Sequence, residues 1–352
     1  MSFKEITIND RKIGKGNPTY IVAELSANHN RDLNIAKRLI HSAKDSGADA
    51  VKLQTYTPDT MTLNLNNEYF QIQSDSAWAG KTLYELYEEA YMPWEWQEEL
   101  VKIGKKLGIT VFSSPFDHTA VDFLESLDIV AYKIASFEIT DLPLIRKITK
   151  TGKPIMMSTG MASLAEIDEA VQIIKKNGNE LVLLHCTSSY PASSSEMNIQ
   201  TITRLKQIFN VPIGLSDHFL GNEIAIASVA LGACVIEKHF TLDRSIKGPD
   251  SFFSIEPHEL TLLIKMIRNV EQALGDTLLT GRGEDEKKNL TFRRSIFTIK
   301  DISAGDKFNQ ENVKIIRPAF GLSPRYWDIV LKSRATKDIS KGTPLSWDMI
   351  SG

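Results

Sequence analysis

Short apolar runs alternate with longer amphipathic segments between residues 20 and 240. Most intervals between the runs have helical periodicity and end at a glycine, as in residues 33–47 and 164–178. Apolar strands joined by helical crossovers favour a parallel sheet covered on both faces, and eight such units predict a closed (β/α)8 barrel. The eight predicted strands are residues 20–25, 50–55, 110–114, 131–136, 155–159, 181–188, 211–218 and 234–240.

Two regions depart from this alternation. Residues 56–92 are polar and irregular, and we expect them to form a loop over the mouth of the barrel. A charged, breaker-rich stretch begins at residue 284, and short strand-like runs follow it. We therefore predict a barrel domain over residues 1–283, a linker over 284–292 and a small, mostly β domain over 293–352.

The carboxyl-terminal region contains a short internal repeat. The pattern KDIS-x-G occurs at residues 300–305 and again at 337–342. It predicts two related strand-turn units in the small domain. The alternative is a coincidence of two turns, because turn residues recur readily by chance.

Charge and hydropathy exclude several classes of function. The net charge of −3 gives no general attraction for nucleic acid, so an anionic ligand needs a local site. The amino terminus lacks the apolar core of a signal peptide, and no run of about 18 apolar residues occurs. We expect a cytoplasmic protein without a membrane span. Cys186 and Cys234 lie within apolar runs and are expected to be buried, reduced thiols.

Polar side chains cluster at the carboxyl ends of the predicted strands, where barrels of this type carry their active sites. Lys52, Lys133 and Lys238 lie at three of these ends, with serines between them. Ammonium and hydroxyl donors suit a ligand with a phosphate and a carboxylate, and phosphoenolpyruvate has both. Two alternatives remain open. The lysines form buried ion pairs with neighbouring carboxylates, or Lys133 is the Schiff-base lysine of an aldolase that uses pyruvate.

Two histidines end adjacent predicted strands. His218 and His239 are 21 residues apart, so their imidazoles are able to meet at one divalent ion. The alternative is a pair of hydrogen-bonded core histidines. Their acidic neighbours Asp217 and Glu237 are interpreted as groups that orient the ligands, although they also suit direct ligation or simple ion pairing.

Motifs along nearly the whole chain resemble the sialic acid synthase family, and most closely its branch that makes pseudaminic acid. The carboxyl-terminal motifs at 293–297 and 317–324 resemble the small antifreeze-like, or SAF, domain of that family. The resemblance thus implies a (β/α)8 barrel followed by a SAF domain. The other motifs are residues 21–30, 51–64, 83–96, 112–116, 132–138, 158–162, 186–191, 214–218, 230–240 and 248–251.

The resemblance also implies roles for the strand-end residues. His218 and His239 match the ligands of a divalent ion, usually Mn²⁺ with Mg²⁺ or Co²⁺ as alternatives, which polarises the aldehyde of an open-chain sugar. Glu24 matches a carboxylate proposed to handle the attacking water or a proton. The positions that match those around phosphoenolpyruvate are Lys52, Ser114, Lys133, Ser136, Ser158, Ser188 and Ser216.

Further positions match contacts to the sugar. Gln54, Glu138, Tyr190 and Asp250 correspond to sugar-binding residues of the barrel. Arg317 corresponds to an arginine of the SAF domain that reaches the barrel of the partner subunit and contacts the sugar. The resemblance therefore implies a homodimer with domain-swapped SAF domains and shared active sites.

The implied activity is a transferase reaction that condenses phosphoenolpyruvate with an acetamido sugar. The pseudaminic branch implies 2,4-diacetamido-2,4,6-trideoxy-L-altrose as that sugar. The alternatives are N-acetylneuraminic or legionaminic acid synthesis. An alternative of another class is a catalytically inactive, carbohydrate-binding scaffold.

Overall fold

The computed structural model of the protein describes residues 5–72, 78–275 and 283–351. The chain divides into two units, Met1–Gly275 and Asp276–Gly352. The described ranges contain no helix that combines the length and apolarity needed to cross a membrane.

The first unit begins with a short antiparallel hairpin of β1 (Ile6–Ile8) and β2 (Arg11–Ile13). Eight parallel strands then close into a barrel in chain order, with the last strand paired to the first. The predicted (β/α)8 barrel is confirmed. Its strands are β3 (Tyr20–Glu24), β4 (Ala50–Thr55), β5 (Thr110–Pro115), β6 (Tyr132–Ile134), β7 (Ile155–Ser158), β8 (Leu181–Cys186), β9 (Ile213–Asp217) and β10 (Val235–His239).

The barrel interior has an apolar lower layer and a polar upper layer. Inward residues near the strand starts, such as Val22, Phe112 and Val235, pack with Ile8 and Ile13 of the hairpin. The hairpin therefore closes the amino-terminal end of the barrel. Because side chains alternate between the two faces of a strand, the next inward residues lie higher, at the carboxyl-terminal end, and these are the polar ones.

Helices surround the barrel, and most of them bury an apolar face. In α1 (Leu33–Asp45), the side chain of Asp32 caps the first turn, and Ala36, Leu39, Ile40 and Ala43 are buried at helical spacing. The other helices are α2 (Pro58–Met61), α3 (Leu83–Ala90), α4 (Trp94–Leu107), α5 (His118–Ser126), α6 (Leu142–Thr149), α7 (Leu164–Lys176), α8 (Thr201–Phe209), α9 (Glu223–Ala230) and α10 (Pro257–Leu274), with short 3-10 turns at Ser136–Glu138, Ser194–Glu196 and Ser251–Phe253.

The insertion at residues 56–92 is more regular than predicted. It contains α2 and α3, and residues 70–72 pair with 81–83 through backbone hydrogen bonds. The sequence signal for α3 is the T-x-x-E box, in which Thr82 and Glu85 satisfy each other's backbone N–H groups. Residues 73–77 of the predicted loop lie outside the described residues.

The second unit contains short antiparallel strand pairs around its own core. The two halves of the repeat pair reciprocally: Ile302 and Ile339 exchange backbone hydrogen bonds, and Asp301 and Asp338 each accept one from the turn of the other half. Gly305 and Gly342 end the two turns at φ of 89° and 85°, which favours glycine. The elements are α11 (Glu284–Lys288), β11 (Ser295–Thr298), β12 (Val313–Ile316), α12 (Trp327–Val330), β13 (Arg334–Ala335) and β14 (Ile350–Ser351), with 3-10 turns at Asn289–Phe292, Pro324–Tyr326 and Trp347–Met349.

Candidate active site

A cavity of about 450 Å³ opens at the carboxyl-terminal end of the barrel. Glu24 and Ser114 do not line this cavity but are buried in the barrel beside it. Ser188 contacts the thiol of Cys186, which lines the cavity. Most of the predicted site residues therefore come together. Those lining the cavity are Lys52, Gln54, Lys133, Ser136, Glu138, Ser158, Tyr190, Ser216, His218, His239 and Asp250.

An ion network forms the floor of the cavity. The Lys52 ammonium lies 2.9 Å from Oε1 of Glu237 and 3.2 Å from Oε2 of Glu24. Ser216 also donates a hydrogen bond to Oε1 of Glu237. Burial raises the pKa of Glu24 above its ordinary value. Burial alone would do the same for Glu237, but Lys133 and Lys52 outweigh it and hold the pKa of Glu237 below its ordinary value. The ion-pair alternative therefore holds for Lys52.

Lys133 is the less compensated of the two floor lysines. Its ammonium donates to Oγ of Ser158 at 2.7 Å and to the carbonyl of Ile134 at 3.2 Å, whereas Oε1 of Glu237 is 3.9 Å away. Burial therefore lowers the pKa of Lys133 to about 8. The pKa of Lys52 is raised instead, because the attraction of two close carboxylates exceeds the effect of its burial. An ammonium without a close counterion favours an anionic ligand.

Hydroxyl groups converge on a glycine beside this floor. The backbone N–H of Gly160 donates to Oγ of Ser136 at 3.1 Å. A Cβ atom at this glycine would lie 2.2 Å from Oγ of Ser188 and 2.8 Å from Oγ of Ser136. The absence of a side chain at Gly160 therefore keeps the hydroxyls available. The sequence prediction missed Gly160, although it follows Ser158 within the motif STGMA.

The two predicted metal-binding histidines are adjacent. The ring centroids of His218 and His239 are 5.3 Å apart. Nδ1 of His218 lies 2.9 Å from the carbonyl of Thr187, so a neutral ring with its proton on Nδ1 leaves the Nε2 lone pair available. Burial, followed by the charge of His218 and the nearby lysines, lowers the pKa of His239 well below its ordinary value. Nδ1 of His239 is buried and has no hydrogen-bond partner among the described residues.

These observations fit a metal site with few protein ligands. His239 offers a nitrogen lone pair, which metal binding requires. His218 offers one at Nε2 in its neutral form; burial alone would lower its pKa, but Cys186 and the Thr187 carbonyl outweigh burial and raise the pKa above its ordinary value. In the described part of the chain, no group of three or more histidine, cysteine or acidic side chains is arranged to hold a metal ion. A cation at the pair would therefore complete its coordination with water or substrate, as catalytic metal ions do.

Lys238 does not belong to the cavity, and this expectation was wrong. Lys238 and Asp217 are paired in register on neighbouring strands, and both side chains point away from the barrel axis. The Lys238 ammonium lies 2.7 Å from Oδ2 of Asp217 and donates to the carbonyls of Phe219 and Gly221. Alternation of side chains along β10 explains this, because Glu237 and His239 take the inward positions. Asp217 is accordingly an ion-pair partner.

A chain of hydrogen bonds runs from the floor to Asp250, which lies beside His239. Gln54 donates to Oε1 of Glu24 at 2.9 Å and to Oγ of Ser26 at 3.2 Å, and Ser26 donates to Oδ2 of Asp250. The same oxygen is 4.0 Å from Nδ1 of His239. Ser26 has a left-handed backbone with φ of 43°, an uncommon conformation that is found where function restrains the chain. The sequence prediction missed Ser26, which lies two residues after the end of the first barrel strand.

Aromatic and carboxyl groups form the upper part of the cavity. The ring of Tyr190 lies over His218 at a centroid distance of 4.3 Å, and Trp78 packs against Tyr190 at 5.8 Å. Oε2 of Glu138 is buried without a hydrogen-bond partner in the described ranges, and burial raises its pKa to about 7. Trp78 also donates to the carbonyl of Pro249 at 2.9 Å.

Arg317 lies in the second unit. It directly follows β12, and its side chain is exposed. Its peptide bond with Pro318 is cis. An exposed guanidinium here is available to an anionic or polar group on another molecule.

Comparisons with known proteins agree with the arrangement. The NeuB family model matches residues 39–278, and the SAF domain model matches residues 293–351. The chain is 44% identical to the pseudaminic acid synthase of Helicobacter pylori, over 95% of this chain and 98% of that protein. It is 46% identical to the pseudaminic acid synthase of Campylobacter jejuni, over 93% and 95%. A crystal structure of the N-acetylneuraminic acid synthetase of Leptospira borgpetersenii in complex with citrate has a TM-score of 0.72 and 35% identity, over 81% of this chain and 95% of that chain. The chain therefore belongs to the NeuB family and carries a SAF domain in its carboxyl-terminal part.

Proposed function

We propose that the protein is a pseudaminic acid synthase. It condenses phosphoenolpyruvate with 2,4-diacetamido-2,4,6-trideoxy-L-altrose and water, giving pseudaminic acid and phosphate. The observation that carries the proposal is the pairing of two buried ammonium groups, Lys52 and Lys133, with a row of serine hydroxyls directly below a histidine pair. This combination suits an anion that must react with a polarised aldehyde.

Phosphoenolpyruvate occupies the floor in this proposal. The weakly compensated ammonium of Lys133 attracts its negative charge, and Lys52 contributes a second cation. Hydroxyl groups beside Gly160 donate to the phosphate oxygens. Ser114 suits this role as well, because its buried Oγ has no partner in the described part of the chain. The proposed ligands are Lys52, Ser114, Lys133, Ser136, Ser158, Ser188 and Ser216.

His218 and His239 hold the metal ion in the proposal, which we assign as Mn²⁺ with Mg²⁺ or Co²⁺ as alternatives. A bound divalent ion supplies Lewis acidity that polarises the sugar aldehyde. The residues fit this role because His218 is oriented by the Thr187 carbonyl and His239 remains neutral.

The remaining groups orient the sugar and handle protons. Tyr190 and Asp250 lie beside the histidines, and Gln54 and Glu138 line the same cavity, so we assign these four to the sugar. Glu24 is hydrogen-bonded to Gln54 and paired with Lys52. Its raised pKa suits a carboxyl group that accepts a proton from the attacking water.

The proposed reaction forms one carbon–carbon bond and breaks one carbon–oxygen bond. C3 of phosphoenolpyruvate attacks the aldehyde carbon, whose oxygen takes up a proton and becomes a hydroxyl. The oxygen of water adds to C2 while one water proton passes to Glu24. The C2–O bond to the phosphate then breaks as the new C2 hydroxyl loses its proton, which leaves a ketone at C2 and inorganic phosphate. Lys52, Lys133 and the serine hydroxyls stabilise the charge of the departing phosphate.

The proposal also includes a partner subunit. We assign Arg317 to the sugar site of a second copy, in a homodimer with exchanged SAF domains, which its exposed position supports. The domain division into residues 1–283, 284–292 and 293–352 belongs to this proposal. We further propose a cytoplasmic location without nucleic acid or membrane partners, supported by the free thiols of Cys186 and Cys234.

A paired assay tests the function. Purified protein with Mn²⁺ and phosphoenolpyruvate is given, in separate reactions, the diacetamido altrose, N-acetylmannosamine or the sugar precursor of legionaminic acid, and phosphate release and product mass are followed. Turnover of the first sugar supports the proposal. Turnover of the second alone assigns the protein to N-acetylneuraminic acid synthesis, and turnover of the legionaminic precursor alone assigns it to that branch.

Two other outcomes identify the remaining alternatives. Binding of sugar without turnover of any of the three compounds indicates an inactive scaffold. Borohydride trapping of pyruvate on Lys133, without phosphate release from phosphoenolpyruvate, indicates a Schiff-base aldolase.

A further inference from the structure

The helix α3 presents an apolar stripe to the active-site cavity. Leu83, Leu86, Tyr87 and Ala90 recur at helical spacing, and all four line the cavity. None of the eight residues of α3 is buried by the described parts of the chain. An amphipathic helix normally buries its apolar stripe against a core, whereas the stripe of α3 is half-buried and faces the cavity.

The stripe is held in position by contacts on the other faces of the helix. Tyr84 donates to Oδ1 of Asp59 at 3.2 Å, which connects α3 to α2. The Arg31 guanidinium donates to the carbonyl of Glu88 at 2.8 Å and to the Tyr91 hydroxyl at 3.0 Å. The apolar stripe is therefore a preorganised surface of the site.

The cavity consequently has two chemically different sides. Met61 and Ile72 extend the stripe of α3, and we call these residues with Leu83, Leu86 and Tyr87 the apolar wall. The floor and the histidine side carry ammonium, carboxyl and hydroxyl groups, together with the rings of Tyr190 and Phe253 beside the histidines. The aldehyde end of an open-chain sugar must lie near the histidines and the floor to react. The other end of the sugar, which carries C6, then extends to the part of the cavity that the insertion supplies.

We propose that the apolar wall selects 6-deoxy sugars by accepting a methyl group at C6 and disfavouring a hydroxymethyl group. A methyl group completes the packing of the leucine side chains, whereas a hydroxyl group placed there loses its hydrogen bonds to water. A hydrophobic pocket of this kind discriminates against an added hydroxyl group by roughly 100-fold. This assignment rests on the proposed function and names the feature of the sugar that the site reads.

The test compares two sugars that differ by one oxygen atom. They are 2,4-diacetamido-2,4,6-trideoxy-L-altrose and its 6-hydroxy counterpart, and kcat/KM is measured for each with the full chain. The variant Leu86→Asn places an amide in the wall. The matched control is Leu65→Asn, the same substitution at an exposed leucine of the same insertion that does not line the cavity.

The parent chain and Leu65→Asn are expected to prefer the methyl sugar by roughly 10- to 100-fold. Leu86→Asn is expected to reduce that ratio by about tenfold or more, with KM for phosphoenolpyruvate unchanged. Leu86→Ala keeps the wall apolar and is expected to retain the preference, so the effect is distinguished from loss of volume.

Three results would overturn the assignment. Equal losses with both sugars in Leu86→Asn would show that the wall is merely structural, and a preference that persists in this variant would place the selectivity elsewhere. No turnover of either sugar by the parent chain would refute the proposed function itself, and the assignment with it. If Leu86→Asn does not fold, as judged by circular dichroism, Leu83→Asn at the first turn of α3 replaces it with the same expected ratio.

Discussion

Replacing Lys133 with methionine is expected to stabilise the ligand-free protein and to inactivate it. Lys133 is 1% exposed, and its ammonium lies 3.9 Å from its closest carboxylate, Glu237. Methionine has a similar length and no charge, so it fills the same space without desolvating an ion. A residue that serves the ligand at the expense of the fold is typical of an active site.

The size of the effect follows from the pKa of the side chain. Burial lowers the pKa of Lys133 from 10.5 to about 8. Since one pKa unit corresponds to about 1.4 kcal/mol, holding Lys133 charged at neutral pH lowers the unfolding free energy by about 3 kcal/mol. The attraction between Lys133 and Glu237 is already included in this pKa. We therefore expect Lys133→Met to gain about 3 kcal/mol.

The sign of the pH dependence gives a second measurement. Between about pH 8 and 10.5, the unfolded chain binds the Lys133 proton more tightly than the folded protein does. The contribution of this group to the unfolding free energy therefore rises with pH across that window. Urea unfolding of the ligand-free protein at several pH values should show that the difference between variant and parent shrinks above pH 8. In the same variant, kcat/KM for phosphoenolpyruvate should fall by roughly 100-fold or more, because a buried cation near the developing phosphate charge is lost.

A matched control uses the same substitution one strand away. Lys238 is also buried, but its ammonium is 2.7 Å from Asp217. Lys238→Met leaves that carboxylate unpaired and should lose roughly 3–5 kcal/mol of unfolding free energy. If Lys133→Met is destabilised like the control, the description of Lys133 as a weakly compensated charge is wrong. If it retains full activity, Lys133 does not bind phosphoenolpyruvate.

Three further predictions concern the metal, the sugar side and the phosphate side of the cavity. Chelation of divalent ions should abolish phosphate release, and added Mn²⁺ should restore it. The variant His239→Ala should bind Mn²⁺ more weakly in a titration followed by electron paramagnetic resonance. Undiminished turnover after thorough chelation would contradict the metal assignment. Burial raises the pKa of Glu138 from 4.5 to about 7, so the contribution of this group to the unfolding free energy should fall as pH rises through that window. The variant Glu138→Gln should lack this fall in urea titrations, and an identical pH profile would refute the raised pKa. Gly160→Ala should raise KM for phosphoenolpyruvate by about tenfold or more. The new Cβ would lie 2.2 Å from Oγ of Ser188 and 2.8 Å from Oγ of Ser136, so it would displace these hydroxyls. An unchanged KM in a folded variant would place the phosphate elsewhere.

The barrel was predictable because its strands carry strong local signals. A strand buried on both faces is apolar along its whole length, and the helices that follow have caps and buried stripes at helical spacing, as in α1. The carboxyl-terminal ends of such strands meet at one face of the barrel. The sequence therefore predicts that strand-end residues converge there, among them Lys52, Lys133 and His239.

The structure differs from the sequence prediction at Lys238 and at α3, for different physical reasons. The placement of Lys238 in the cavity neglected the alternation of side chains along a strand, so this error was avoidable from the sequence. The sequence prediction assigned α3 to an irregular loop. The helix has only eight residues and no buried residue, and so short a segment gives a weak helical signal. The local signals were the capping pair Thr82 and Glu85 and the helical spacing of the apolar stripe.

The sequence by itself determined the order of strands and helices and the identities of the groups at the strand ends, because hydrophobic periodicity acts over a few residues. Only the tertiary structure decided the chemical state of those groups. Lys52 and Lys133 are the same residue type at equivalent strand ends, yet two close carboxylates raise the pKa of Lys52 while burial lowers that of Lys133. The contact of Ser26 with Asp250 likewise joins residues 224 positions apart. Electrostatic energies depend on distances of a few ångströms and on burial, and closure of the barrel sets both.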